Sequence, residues 1–410
     1  MECLKNRYER SSNLLWIAII AIVFGSRIAV AADNSPSPMP KAGVPWSAKM
    51  QGLYKTLAEL LTDVSSDRRF NDPANKKRIE REAGQLASLS HDLNKKDMVS
   101  LDADPTVPMV AGLLARETKR AVIELKRDNR AYARSIIRSV PGYCITCHTR
   151  NSSGPQFSEL PFEPTTQALS PVERGEFFAA SRQFDRAQQE FLKVIQDPKA
   201  AASYNFDWER AIHQSLAIAV RVKQDPQQAK EIVQAVLSMK NAPVSVKEDA
   251  KAWKTSIQEW LDEPGHQALT EEGLHAEALR LMARARETQK YPVDRTADIL
   301  YLRASAITHD LLQKAPNGRY ASDALLLAGI AYEVLSPLRT EDLHDLYYEA
   351  CVRKSPHTPI ADACYRRYEQ STIFNYTGSS GTDVPQDVQE KLMELKELAM
   401  PQVQINHGIQ

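Results

Sequence analysis

The chain has 410 residues, 52 Lys+Arg against 52 Asp+Glu, and 25% charged positions. A balance that even gives no electrostatic footprint of a nucleic-acid binder and no strong attraction to an anionic surface. The length accommodates two or three domains, each with its own core.

Residues 1–31 read as a secretory signal peptide. Lys5, Arg7 and Arg10 precede an unbroken apolar run from Leu14 to Phe24, and Ala29-Val30-Ala31 supplies a small-x-small cleavage site. The run is short for a membrane span, and Arg27 interrupts any longer one, although an uncleaved anchor is the alternative. The expected product is periplasmic, starts near Ala32 and has no membrane span after cleavage. Residues 32–45, rich in Pro, Ser and Gly, read as a flexible tether.

Residues 46–149 carry four amphipathic stripes. The first helix begins near Ser47, with Met50, Leu53, Leu57, Leu60 or Leu61, and Val64 recurring at helical spacing. The second runs from about Lys77 to Leu93 through Ile79, Ala83, Leu86 and Leu89; the third starts at Pro108 and carries Val110, Leu114, Ala121 and Leu125. The fourth runs from about Asn129 through Tyr132, Ile136 and Val140. Pro141-Gly142 then predicts a kink or an end, since an interior proline costs about 3 kcal/mol. An antiparallel bundle is the simplest way to hide four such stripes.

The fourth helix leads into Cys144-Ile145-Thr146-Cys147-His148. Two thiols three residues apart, followed by an imidazole, is the spacing that fixes one covalent c-type haem, with His148 as proximal axial ligand. Half of a zinc site and a redox Cys-x-x-Cys are the rival readings. With this motif ending the last of four helices, residues 46–149 resemble the class II, cytochrome c′-like, c-type cytochromes. That resemblance implies a sixth ligand from the first helix, for which Met50 is the candidate and His91 the weaker alternative. Arg134, Arg138 and Arg150 are candidates to pair with haem propionates, against the alternative that they are plain solvated surface arginines. The Pro141-Gly142 interruption and the early Arg150 depart from the family pattern.

Residues 150–170 read as a linker, after which Ser170-Pro171 offers an N-cap and an N1 proline. Gly175, Phe178, Ala187, Phe191 and Pro198 follow at a spacing similar to the tetratricopeptide repeat. Leu216, Ala217, Val220, Ala229, Val233 and Val236 keep the phase, and Gly329 to Tyr332 with Tyr348 and Pro356 form a disrupted copy. Residues 171–372 are expected to be an α-solenoid, with an irregular helical domain as the alternative; Arg280, Arg284, Arg286 and Lys290 are candidates for a partner-facing charged patch, against the alternative of an ordinary solvated face. Residues 373–410 hold a loop around Gly378 to Gly381 and a last helix from Val388 to Met400. Cys351 and Cys364, an even pair on neighbouring helices in an oxidising compartment, are expected to form a disulfide.

The fold class expected is all-α: a haem-carrying four-helix bundle, then a tetratricopeptide-like solenoid. The function expected is monohaem electron transfer to a periplasmic redox partner. A gas-binding protein and a scaffold with structural haem are the alternatives. The residues show no catalytic signature, so an electron carrier is expected rather than an enzyme.

Overall fold

The computed structural model describes residues 46–93, 104–152, 167–203, 206–263, 265–335 and 343–401. The leader and tether lie outside these residues. Among the described residues no helix is long and apolar enough to cross a membrane. The described residues form one compact unit.

Helix α1 (Trp46–Val64) buries Leu53, Leu57, Leu60, Leu61 and Val64. A short helix α2 (Asp67–Asn71), capped by the Ser66 hydroxyl accepting from the Arg69 N–H, turns the chain into α3 (Pro73–Leu93). Helices α4 (Thr106–Lys126) and α5 (Arg130–His148) complete the group. α3 packs on α1 and α4, and α5 packs on α4 and α1. Their stripes share one apolar core, the outcome the 3.6-residue periodicity demands.

The break at Pro141 does not occur. α5 runs through the buried Pro141 and Gly142 to His148. Proline's fixed φ is already helical, so the loss is one N–H and some crowding of the preceding turn. Beyond it the helix is stitched by hydroxyls: Thr146 Oγ1 donates to the Gly142 carbonyl and Thr149 Oγ1 to that of Ile145, each at 2.8 Å.

From Pro171 the chain continues as packed helices. These are α6 (Pro171–Ala180), α7 (Phe184–Ile195), α8 (Pro198–Ser203), α9 (Phe206–Ala217), α10 (Pro226–Ser238) and α11 (Val244–Leu261). After them come α12 (Glu271–Thr288), α13 (Asp298–Lys314), α14 (Ala321–Leu335), α15 (Leu343–Lys354), α16 (Pro359–Asn375) and α17 (Gln386–Ala399). α6 opens on a full capping box between Ser170 and Glu173. From α12 to α16 each helix packs on the next, and α5 packs on α6. Two hairpins close through glycines. A Cβ on Gly175 would lie 2.4 Å from the Phe191 ring, and one on Gly329 2.4 Å from the Tyr348 ring. Cys351 and Cys364 join α15 to α16 in a disulfide, Cα–Cα 6.2 Å. A two-stranded ribbon, β1 (Thr377–Gly378) with β2 (Gly381–Thr382), precedes α17.

The packing is repeat-like, but the tetratricopeptide reading is corrected. α9 passes into a π-helical turn at Ile218–Val222, closed by the Lys223 N–H on the Ile218 carbonyl. The wider turn shifts the phase of the stripe that held Leu216, Ala217 and Val220 in register. The short α8 interrupts the pairing again, so no single motif persists. The haem-carrying bundle is corrected as well: no group of three or more His, Cys, Asp or Glu that could hold a metal is found among the described residues. What stands is a large all-α protein of repeat-like helix pairs.

Two glycine substitutions separate close approach from mere flexibility. Gly175→Ala forces a Cβ into Phe191 and is expected to cost about 1–3 kcal/mol in urea unfolding. Gly84→Ala, within α3 and with nothing inside 4 Å, is expected to be neutral or to stabilise by up to about 1 kcal/mol.

Candidate functional site

Cys144 and Cys147 lie one turn apart at the end of α5, and His148 is its last residue. All three keep some accessible surface within closely packed surroundings. The His148 ring is held by α6: its Nδ1 lies 2.5 Å from the Ala180 carbonyl oxygen. A carbonyl only accepts, so Nδ1 carries the proton. Arg182, in the left-handed region at φ 59°, donates from Nη1 to the His148 carbonyl (3.1 Å) and from Nη2 to that of Ser152 (2.9 Å). Burial pushes the His148 imidazole down to about 4 against the Ala180 bond, with Arg182 adding to the fall, so the ring is neutral at pH 7. Burial, then Cys147, pushes the Cys144 thiol up to about 12. A thiol so protonated is not a poised nucleophile.

The remaining predicted ligands do not assemble a donor set. Met50 is half-buried on α1 and packs against the core, while His91 is exposed near the end of α3. The arginines assigned to propionates are engaged by the protein. Arg134 donates to the Val64 and Ser65 carbonyls, Arg138 meets Glu173 at 2.6 Å, and Arg150 meets Asp104 at 2.8 Å. With no metal-holding group among the described residues, the cytochrome assignment is corrected. Corrected with it are the haem c cofactor, the electron-transfer role, the gas-binding and structural-haem alternatives, and the redox partner.

Behind the end of α5 lies a buried polar chain that crosses the fold. Asp104, just before α4, takes the Thr106 N–H and hydroxyl on Oδ1 at 2.9 and 2.7 Å. Its Oδ2 faces Arg150 Nη1 at 2.8 Å and His309 Nδ1, from α13, at 3.4 Å. His309 Nε2 then meets the Tyr332 hydroxyl of α14 at 2.9 Å, and Arg221 donates to that same oxygen. Tyr332 stacks on Tyr347 with ring centres 5.1 Å apart, and the Arg150 guanidinium lies 5.8 Å from the centre of the Tyr347 ring. Burial alone would raise the Asp104 carboxyl, but Arg150 and His309 outweigh it and hold it well below the usual range. An Asp–His–Tyr sequence has the look of a proton relay. Here His309 is 2% and Tyr332 6% exposed, which denies a substrate access. Its chemistry is that of a lock.

A second cluster surrounds His213 on α9. Its Nδ1 lies 3.4 Å from Asp298 Oδ2 and its Nε2 3.7 Å from Glu209 Oε1, while Arg295 Nε reaches Asp298 Oδ2 at 3.7 Å. On α11, Asp249 is pushed up to about 6 by burial and then by Asp298 and Asp294, against the opposing charges of His213 and Arg295.

Sequence reasoning missed a groove of about 390 Å³ between α12 and α14. α12 contributes Leu279, Met282, Ala283 and Arg286; α14 contributes Asp323, Leu326, Leu327 and Ile330. Both sets step by three, one and three residues, two helical stripes side by side. Leu279 is 46% exposed despite its size. Of the predicted basic face, Arg280 is held by Glu277 and Glu263, and Arg284 by Glu259. Arg286 is exposed and makes no ion pair among the described residues. The sequence signal lay in the spacing of Leu279, Met282 and Arg286, which reads equally well as an ordinary core stripe.

No protein-family model, no curated protein and no solved structure matches this chain.

Two measurements probe the charge clusters. Asp104→Asn leaves the Arg150 guanidinium buried without its counter-charge and is expected to cost about 3–5 kcal/mol; adding Arg150→Met is expected to recover most of that loss. Because the Asp104 carboxyl is depressed on folding, its contribution is present above the unfolded pKa, about 4, and is lost as pH falls further. Asp249 has the opposite sign. The fold favours its protonated form, so stability falls as pH rises from the ordinary value of 3.8 toward about 6. Asp249→Asn is therefore expected to raise the urea midpoint relative to wild type at pH 7.5 and to leave it unchanged at pH 3.5.

Proposed function

We propose that this protein is an exported helical scaffold that binds a partner protein through the groove between α12 and α14, a binding role rather than a catalytic one. The observation that carries the reading is the pair of apolar stripes on α12 and α14, with Leu279 on the α12 stripe left nearly half exposed. Leu279 and the half-buried Leu326 stand over a floor of buried Met282, Leu327 and Ile330, and apolar side chains left open in a concave surface rimmed by charge mark interaction sites on otherwise polar proteins. The repeat-like packing supports the same conclusion, since arrays of helix pairs present extended surfaces that single domains do not. Arg286 and Asp323 at the groove's edge add polar selectivity to an apolar floor. Export to the periplasm rests on the leader at residues 1–31 and is supported by the Cys351–Cys364 disulfide, a bond that persists in oxidising compartments.

Titration with the apolar fluorophore 1-anilinonaphthalene-8-sulfonate tests the groove directly. The wild-type chain is expected to bind it, and Leu279→Glu to weaken that binding by roughly fivefold or more with helical content unchanged. Binding that ignores the substitution would remove the groove as the site.

A further inference from the structure

Resting on the scaffold reading, we infer that the groove takes an amphipathic α-helix of its partner, laid antiparallel to α12 and α14, acidic in its first turn and basic in its last. The shape comes from the lining. Leu279 of α12 and the half-buried Leu326 of α14 stand on the two walls, and Met282 and Ile330, buried at the spacing of the same stripes, form the floor between them. α12 and α14 are separated by one antiparallel helix, α13, and so run in the same direction. From Leu279 to Arg286 the stripe covers seven residue steps, about 10 Å, or two turns of an occupant.

Direction comes from charge. Arg286 lies in the last turn of α12, and Asp323, with His275 Nε2 3.9 Å from its Oδ1 and its side chain still 41% exposed, in the first turn of α14, so a guanidinium marks one end of the groove and a carboxylate the other. Helices favour acids in the first turn and bases in the last, because of the partial charges at their ends. Laid antiparallel, an occupant with that ordinary distribution puts its acid beside Arg286 and its base beside Asp323. Its dipole then opposes those of both walls. Laid parallel, the same helix would meet Arg286 with its basic end and Asp323 with its acidic end, and both contacts would repel. Arg286 is open for the pairing, unlike Arg280 and Arg284, which already hold glutamates.

The test uses the full mature chain and two synthetic amphipathic peptides of about fourteen residues, four turns. Both carry leucines at the groove's spacing. One has Glu in its first turn and Lys in its last, and the other has these charges exchanged. Each bears a benzophenone amino acid at its N-terminus, with affinity read by fluorescence anisotropy and orientation by mapping the cross-link. The first peptide is expected to bind and to cross-link near the C-terminal end of α12. Arg286→Glu is expected to weaken it by up to about fivefold and to improve the charge-exchanged peptide. Leu279→Glu is expected to abolish both. If binding needs Leu279 but the cross-link forms near Asp323, or Arg286→Glu leaves the preference unchanged, the scaffold reading stands and the antiparallel assignment fails. If neither peptide binds in a Leu279-dependent way, or a second copy of the chain fills the groove as a Leu279-dependent dimer in sedimentation, the helical partner is overturned.

Discussion

The buried Asp104–Arg150 pair joins segments from opposite ends of the first helices and holds them against the rest of the fold. An ion pair removed from water recovers its desolvation only if the geometry is good and its other polar atoms are engaged. Here Thr106 occupies the second carboxylate oxygen, Arg150 Nε donates to the Thr146 carbonyl at 3.3 Å, and His309 and Tyr347 enclose the pair, while Arg150 Nη2 finds no hydrogen-bond partner among the described residues. Asp104 stands at the entry to α4 and Arg150 at the exit of α5, so their meeting fixes two chain ends at once. Those ends are then tied to α13, α14 and α15, which arrive from far along the sequence. The first helices are thereby locked to the rest of the chain rather than strung from it. The end of α5 is held again by the Ala180 carbonyl and by Arg182.

α13 is where the polar and apolar halves of the design meet. Nearly all of its side chains are buried, from Asp298 to Leu312, and it carries both His309 of the lock and Asp298 of the second cluster. α12 and α14 each pack on α13 and touch one another less extensively. Two cylinders resting on a third leave a valley on the side away from it, and its width follows from the 8–10 Å spacing of packed helices. The groove is thus a consequence of α13 being central. Its walls keep apolar side chains because no further helix among the described residues covers them.

Much of this was legible in the residues, and the parts that were not share a cause. The stripes Leu53–Leu57–Leu60 and Ile79–Ala83–Leu86 identify helices because burial enforces a period within one element. Gly175 and Phe191 announce a hairpin because a missing Cβ and a large ring are complementary at fixed spacing. Cys351 and Cys364 follow from parity and a short connection. Pro141 misled, since a local helix penalty was overcome by the packing of α5 on three neighbours. Cys144, Cys147 and His148 form a conspicuous string, yet whether such residues act depends on what converges on them from elsewhere. Asp104, Arg150, His309 and Tyr332 show the same limit from the other side: they are separated by tens to hundreds of positions, with no shared period, and nothing in the sequence links Arg150 or Tyr332 to Asp104 and His309 until the fold joins them.

The basic residues of α12 show how the walls divide affinity from selectivity. Arg280 and Arg284 are neutralised within the array, and Arg303 of α13 is drawn to Glu263 in the same way. The Arg280 and Arg284 pairs lie partly in solvent, where an ion pair is worth about 0–1 kcal/mol, so they restrain side chains more than they stabilise the fold, whereas Arg303 is itself buried. Arg286 faces the groove instead, and the same ceiling applies to whatever carboxylate meets it. Charge at the rim therefore cannot supply most of a partner's affinity. That must come from apolar area, at about 25 cal/mol per Å² removed from water, which Leu279 and its neighbours provide without regard to direction. A surface of this kind holds by its floor and discriminates by its ends: mispairing at Arg286 or Asp323 removes little attraction but adds repulsion, and repulsion is what rejects the wrong helix.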